Sequence, residues 1–234
     1  MPEQRTAWLI WPMLALTFST GVVDAVGYLG LDRVFVGNMT GNVVVLGMAV
    51  AGADQLPVLG PALAFAAFLV GAAAGGRALR GQPAAWTTRA TVLLAVVGLV
   101  IAGCAATLLA LDVPPASPAD PGPRWLLAAT CSLAAVMGLQ AAVARTLAVK
   151  DVTTVVVTST MTALAAESRL GAASGGTAWR RRAGAITLIA LGALAGAALL
   201  KVHLGAGLGL AALLVLGTAV GGHLGARRLE LRAR

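Results

Sequence analysis

Two stretches of the chain combine membrane-like hydrophobicity with polar side chains and glycines that a plain membrane helix avoids. The first, residues 34–42, contains Asn38, Thr40 and Asn42, and the second, residues 153–162, is rich in threonine. Amides and hydroxyls offer donors and acceptors, and unwound backbone beside them can coordinate an ion or a polar solute. Interrupted segments at matching places in two halves are typical of binding sites in secondary transporters.

Asp24 is a carboxylate within the first long apolar segment. Such a group costs about 2.5–3.5 kcal/mol to insert on translocon scales, so it usually faces a bundle interior or a water-filled cavity. One interpretation is a site that couples protons or cations to transport. The other is that the first helix ends early, and Asp24 caps the next element at the outer interface, paired with Arg33 or Arg145.

Four further side chains are candidates for binding a solute or ion: Gln140, Arg145, Thr158 and Thr160. Gln140 either lines a cavity or hydrogen-bonds a neighbouring helix. Arg145 either extends to the cytoplasmic interface or points inward and attracts an anionic solute. The threonine hydroxyls either bind a ligand or satisfy carbonyls of their own helix.

Glycines beside these groups predict breaks in the helical backbone, at Gly21, Gly27, Gly37 and Gly41. The four-residue spacing of the last two also fits close helix packing through small residues. The same spacing recurs in later segments, where it indicates tight contacts within one chain or between two copies in a homodimer, at Gly71/Gly75, Gly192/Gly196 and Gly217/Gly221.

The composition is that of an integral membrane protein, with 59% hydrophobic and 11% charged residues and a mean hydropathy of +0.88. Apolar runs such as 57–76 and 90–111 reach the roughly 20 residues that cross a bilayer core. The net charge of +8 comes from arginines at the ends of apolar segments. That position is typical of topology determinants, so we expect a lipid bilayer and no nucleic acid as partner.

Eight apolar segments lie at about 7–30, 34–52, 57–77, 90–111, 125–148, 152–166, 183–200 and 204–225. If the second and sixth enter the membrane and return, every basic residue except Arg33, Arg124 and Lys201 lies in the cytoplasm, whereas eight crossings divide them almost evenly. The positive-inside rule therefore predicts six transmembrane helices plus two broken or re-entrant segments, with both termini cytoplasmic.

This layout predicts an all-α membrane protein built as two inverted structural repeats. The first repeat comprises residues 1–112, an external proline-rich connector comprises 113–123, and the second repeat comprises 124–234. Residues 21–26 can be laid on residues 138–143, although few letters agree. The repeat is therefore predicted from the layout more than from identities.

Residues 21–29 (GVVDAVGYL) followed by 34–42 (VFVGNMTGN) resemble the signature of the YoaK-like family of bacterial integral membrane proteins. Gly138-Leu139-Gln140, with Arg145 and the threonine-rich stretch, is similar to the second motif of that family. The family is a domain of unknown function, so the resemblance implies a multi-spanning inner-membrane protein. Where its second motif often reads Thr-Gly-Thr, this chain has Thr158-Ser159-Thr160.

These observations together predict a secondary transporter of a small polar solute or ion, with proton coupling through Asp24 as an option. A passive channel and a non-transporting scaffold or accessory protein are the alternatives. We expect no enzyme, because nucleotide-binding, zinc-protease and serine-hydrolase motifs are missing from the sequence. We also expect no metal or cofactor, because the cysteines and histidines lack ligand spacing.

Overall fold

The computed structural model describes residues 8–31, 33–53, 56–113, 124–147, 157–167 and 177–233, and these form eight α-helices without a strand. The helices are α1 (Ile10–Gly30), α2 (Met39–Val50), α3 (Leu59–Ala78), α4 (Thr88–Ala110), α5 (Trp125–Leu147), α6 (Val157–Ala166), α7 (Thr177–Leu200) and α8 (Leu204–Ala233). The proline-rich residues 114–123 and the first threonines of the second polar stretch lie outside the described residues.

Six of the helices are long and apolar enough to cross a membrane, and all but α2 and α6 belong to this set. Helix α2 has 12 residues and α6 has 10, well short of the roughly 20 that a crossing requires. The predicted fold class, with six spanning helices and two interrupted segments, is therefore confirmed.

Helix α1 runs without interruption through Gly21 and Gly27, so the prediction of backbone breaks at these two glycines is wrong. A glycine costs a helix only about 1 kcal/mol relative to alanine. Opening the helix within lipid would leave backbone groups unsatisfied at several kcal/mol each. Both glycines instead allow close packing, because a Cβ on Gly21 would overlap the backbone of Ile189 and one on Gly27 would lie 2.6 Å from the carbonyl oxygen of Val34.

Two helix pairs, α1–α7 and α3–α5, pack through glycines directly onto the partner backbone. In α1–α7, Gly192 faces the carbonyl of Phe18 and Gly196 faces that of Val22. In α3–α5 the equivalent contacts pair Gly71 with the Ala135 carbonyl, Gly75 with the Leu139 carbonyl and Gly138 with the Phe68 carbonyl. Residues 18, 21 and 22 of α1 thus stand in the places of residues 135, 138 and 139 of α5, as in the sequence alignment of the halves.

The most extensive contacts between helices follow the same exchange of halves, whereas the smaller α7–α8 contact has no counterpart of similar extent between α3 and α4. The counterparts are α1 and α5, α2 and α6, α3 and α7, and α4 and α8. When each helix is exchanged for its counterpart, the α1–α7 pair becomes α5–α3, the α1–α8 contact becomes α5–α4, and α2–α3 becomes α6–α7, and all of these contacts are present. The α4–α8 pair, the other extensive contact, maps onto itself. This correspondence supports the predicted repeat, while its inverted orientation and the domain boundaries stay predictions.

Candidate binding site

A non-helical segment, residues 33–38, joins α1 to α2, with residues 34, 36 and 37 buried and Asn38 exposed. Arg33 adopts a left-handed φ of 55°, which turns the chain back at the end of α1. Val34 and Val36 are both completely buried, and Val34 meets α1 at Gly27. Irregular backbone at membrane depth is tolerated only where protein or a cavity surrounds it. The segment therefore depends on its neighbours for hydrogen bonds.

Asp24 supplies those hydrogen bonds from the neighbouring face of α1. Its Oδ1 accepts from the backbone amides of Val36 at 3.0 Å, Gly37 at 2.7 Å and Asn38 at 3.3 Å. Asp24 is only 8% exposed. It lies six residues before the end of α1, which is about 9 Å along the helix axis. The carboxylate does cap the next element, but from within an intact helix and not from an early helix end.

The asparagines of the first polar stretch stabilise the same turn. Asn42, 1% exposed, accepts from the amide of Phe35 at 2.9 Å and donates from Nδ2 to the carbonyl of Phe35. Asn38 is the N-cap of α2, where its Oδ1 accepts from the amide of Gly41 at 3.2 Å. The ring of Phe35 stacks on Tyr28 with centroids 4.6 Å apart. These polar groups therefore hold the segment in shape.

The backbone is interrupted at Gly37 as predicted, but Gly41 lies inside α2, so the predicted break there is wrong. A Cβ on Gly41 would lie 2.8 Å from the ring of Phe35. The residue is thus needed for the close approach of that ring, since an alanine would collide with it. Helix α2 begins at Met39, after the three amides that Asp24 binds.

Gln140 joins this site from the other half of the protein. It is 1% exposed, and its Nε2 donates to Oγ1 of Thr20 at 3.2 Å. Gly37 lies between these helices, because a Cβ built on it would be 3.2 Å from Thr20, 3.3 Å from Met137 and 3.4 Å from Asp24 Oδ1. We call Thr20, Asp24, Gly37, Met137 and Gln140 the Asp24 cluster.

Other predicted residues lie away from the Asp24 cluster. Arg145 is in the last turn of α5 and is exposed, which fits the interpretation in which it reaches the interface. Among the helices described, α6 packs chiefly on α7, and on this helix Thr158 is exposed and Thr160 is buried. Thr40 is exposed on α2.

Sequence reasoning missed Thr20 and Met137. Thr20 lies one helical turn before Asp24, a spacing that puts both side chains on one face of α1 and could have identified it. Met137 carries no comparable signal, because an isolated methionine in an apolar helix is usually core. Within the described residues, no three His, Cys, Asp or Glu side chains group closely enough to hold a metal ion.

The profile of a protein family described as "Protein of unknown function (DUF1275)" matches residues 13–221 of this chain. The chain belongs to this family. The UPF0700 transmembrane protein YoaK of Bacillus subtilis (strain 168) is 43% identical over 56 residues, which are 24% of this chain and 25% of that relative. The match thus spans about a quarter of the length of YoaK.

No solved structure matches the chain. The family membership confirms the resemblance indicated by the two motifs, and the six apolar helices agree with the word transmembrane in the name of the relative. The protein is therefore a membrane protein of this family, with its spanning helices in contact with lipid.

Proposed function

We propose that the protein is a secondary transporter, and not an enzyme, that moves a small polar solute across the bacterial cytoplasmic membrane with both termini in the cytoplasm. The observation that carries the proposal is the irregular, partly buried segment 33–38, whose backbone amides at residues 36–38 donate to the carboxylate of Asp24 in α1. Short discontinuous elements of this kind form the binding sites of many secondary transporters. The equally short α6 occupies the matching place in the second half.

The helix packing supplies a reason why such a site could open and close. Because α1 packs on α7 and α3 on α5 through bare backbone, each pair is suited to move as one body. The two pairs contact each other directly at the crossing of α1 and α5, where contact is sparse and where Gln140 reaches Thr20, and α8 and α4 bridge them elsewhere. Rocking of two bundles about a site between them is the usual form of alternating access.

Asp24 is placed to couple this motion to protons. Hydrogen bonds to an ionised carboxylate are worth about 1.5–3 kcal/mol each, roughly twice the value for a neutral acceptor. Proton uptake by Asp24 would therefore weaken all three bonds to the amides of residues 36–38 together. The segment would then be freer to leave α1, and this is the step at which a proton gradient would drive the conformational change.

The test is solute uptake into proteoliposomes that contain the purified protein, under an imposed proton gradient. Candidate solutes come from a screen for compounds that raise its melting temperature, since a ligand stabilises the state it binds. Asp24→Asn should lower gradient-driven uptake at least tenfold. The control is Ser132→Ala, which removes an exposed hydroxyl bonded within α5 and should have no effect.

Three other outcomes would contradict this proposal. Uptake that does not saturate and ignores the gradient would indicate a passive channel. Uptake unchanged in folded Asp24→Asn would remove the proton-coupling role of Asp24. Absence of flux for every stabilising solute would favour a scaffold or accessory protein.

A further inference from the structure

We propose that the solute is a small monovalent cation, bound between Gln140 and Asp24 where α1 crosses α5. This inference rests on the proposed function, because it names the class of solute for the same site. Four observations lead to it: an unpaired acceptor on Gln140, an unpaired oxygen on Asp24, their common position around Gly37, and the lack of a cationic side chain beside them in the described structure.

Gln140 keeps one buried acceptor without a partner. The hydroxyl of Thr20 donates its hydrogen to the carbonyl of Leu16 at 2.8 Å, so it can only accept from Gln140. In this arrangement the amide nitrogen of Gln140 faces Thr20 and donates to it. Its Oε1 is then left fully buried without a hydrogen-bond partner in the described part of the protein. A buried acceptor in this state destabilises the protein unless a ligand or an ordered water satisfies it.

Asp24 also has an oxygen to spare. All three of its hydrogen bonds go to Oδ1, and Oδ2 accepts none from the residues that the structure describes. Ion pairs among those residues join Arg182 to Glu167 and His203 to Asp112, and none involves Asp24. The backbone amides carry only partial charge. The full negative charge of an ionised Asp24 is therefore without a counter-charge from a described side chain.

The two oxygens belong to one small region. Thr20 and Asp24 are four residues apart on α1, so their side chains are neighbours on one face. Gln140 bonds to the first of them, and Gly37 packs against both. Because Gly37 has no side chain, its backbone packs closely against Thr20, Met137 and Asp24, which brings the loop, α1 and α5 together at this point.

These groups define the chemistry of a ligand. Both unpaired atoms are oxygens that accept, so the ligand must bring positive charge or hydrogen-bond donors. An anion would be repelled by Asp24. No arginine or lysine side chain forms an ion pair with Asp24 in the described structure, so none is there to attract an anion. An alkali-metal ion and a small protonated amine share the required chemistry, and both would neutralise the buried carboxylate.

The experiment measures the melting temperature of the purified protein at constant ionic strength. N-methylglucamine chloride, which supplies a bulky reference cation, is replaced stepwise by sodium, potassium or methylammonium chloride. We expect at least one of the small cations to raise the melting temperature saturably, by about 2–5 °C. A response to sodium or potassium alone identifies a metal ion, and a response to methylammonium alone identifies an amine.

Gln140→Leu, which fills the same volume without an acceptor, should lose this response, and Ser132→Ala should keep it. If Gln140→Leu does not fold, Gln140→Met serves instead, because its flexible thioether fits irregular space. Equal melting temperatures in all four salts for the wild type, or an undiminished response in the Gln140 variant, would overturn the inference.

The assay uses no membrane and no gradient, so its result is independent of transport. Cation stabilisation without flux in proteoliposomes would contradict the transporter proposal and leave the cation site standing. Flux of a solute without any cation response would do the reverse.

Discussion

Replacing Asn42 by alanine should release the segment that Asp24 and Asn42 hold. The side chain of Asn42 is 1% exposed and makes two hydrogen bonds to the backbone of Phe35, one with its amide and one with its carbonyl. Alanine leaves the amide and the carbonyl of Phe35 without these partners. Each unsatisfied group costs about 1–3 kcal/mol, so we expect the free energy required to open the segment to fall by about 2–4 kcal/mol relative to the wild type.

Hydrogen–deuterium exchange of the amides of residues 35–38 measures this opening directly. Since 1.4 kcal/mol is a factor of ten, exchange in Asn42→Ala should be faster by about 30- to 700-fold. The matched control is Asn38→Ala, which removes one hydrogen bond from an exposed N-cap. Loss of a cap costs about 1 kcal/mol, so its exchange should rise only about fivefold.

Two results would refute this reasoning. Unchanged exchange in Asn42→Ala would show that Asp24 alone holds the segment. A larger effect of Asn38→Ala than of Asn42→Ala would show that the cap of α2, and not the bond to Phe35, determines its stability.

Two further predictions concern packing and orientation. Gly71→Ala should lower the melting temperature, because its Cβ would overlap the carbonyl of Ala135 and such overpacking costs about 1–3 kcal/mol. Gly76→Ala in the same helix meets open space and should leave the melting temperature unchanged. Equal melting temperatures for the two variants would contradict the close contact at Gly71. The orientation can be tested in a variant with Cys104 and Cys131 replaced by serine. A membrane-impermeant maleimide should label Lys201→Cys in intact cells, whereas it should label Arg80→Cys only after permeabilisation. The opposite pattern would reverse the proposed orientation.

The six crossings could be predicted because they depend on properties that the sequence displays directly, namely apolar length and the positions of arginine and lysine. The short α2 could be predicted from its polar, glycine-rich start. What failed was the assignment of individual glycines. Gly21 and Gly37 have the same intrinsic freedom, yet one lies in an intact helix against α7 and the other in a loop. Tertiary neighbours decide between these outcomes, and a single sequence does not display them.

The environment of Asp24 shows the same limit. The sequence suggested Arg33 or Arg145 as its partner, because opposite charges are what a pattern of residue types can reveal. Its actual partners are three backbone amides, and every residue type but proline has one. Which amides reach Asp24 depends on the reversal at Arg33 and on the space left by Gly27. Gln140 was predicted as a candidate, but its contact with Thr20 required knowing that α5 crosses α1.

The pairing of α1 with α7 and of α3 with α5 has a consequence for biogenesis. The ribosome completes the first four helices before either partner helix has emerged, and among the described helices the extensive contacts of α1, α3 and α4 are all with the second half. We therefore expect the early helices to remain in the bilayer without these packing partners until the second half is inserted. On this basis a chain truncated after α4 should be degraded instead of accumulating as a stable fragment.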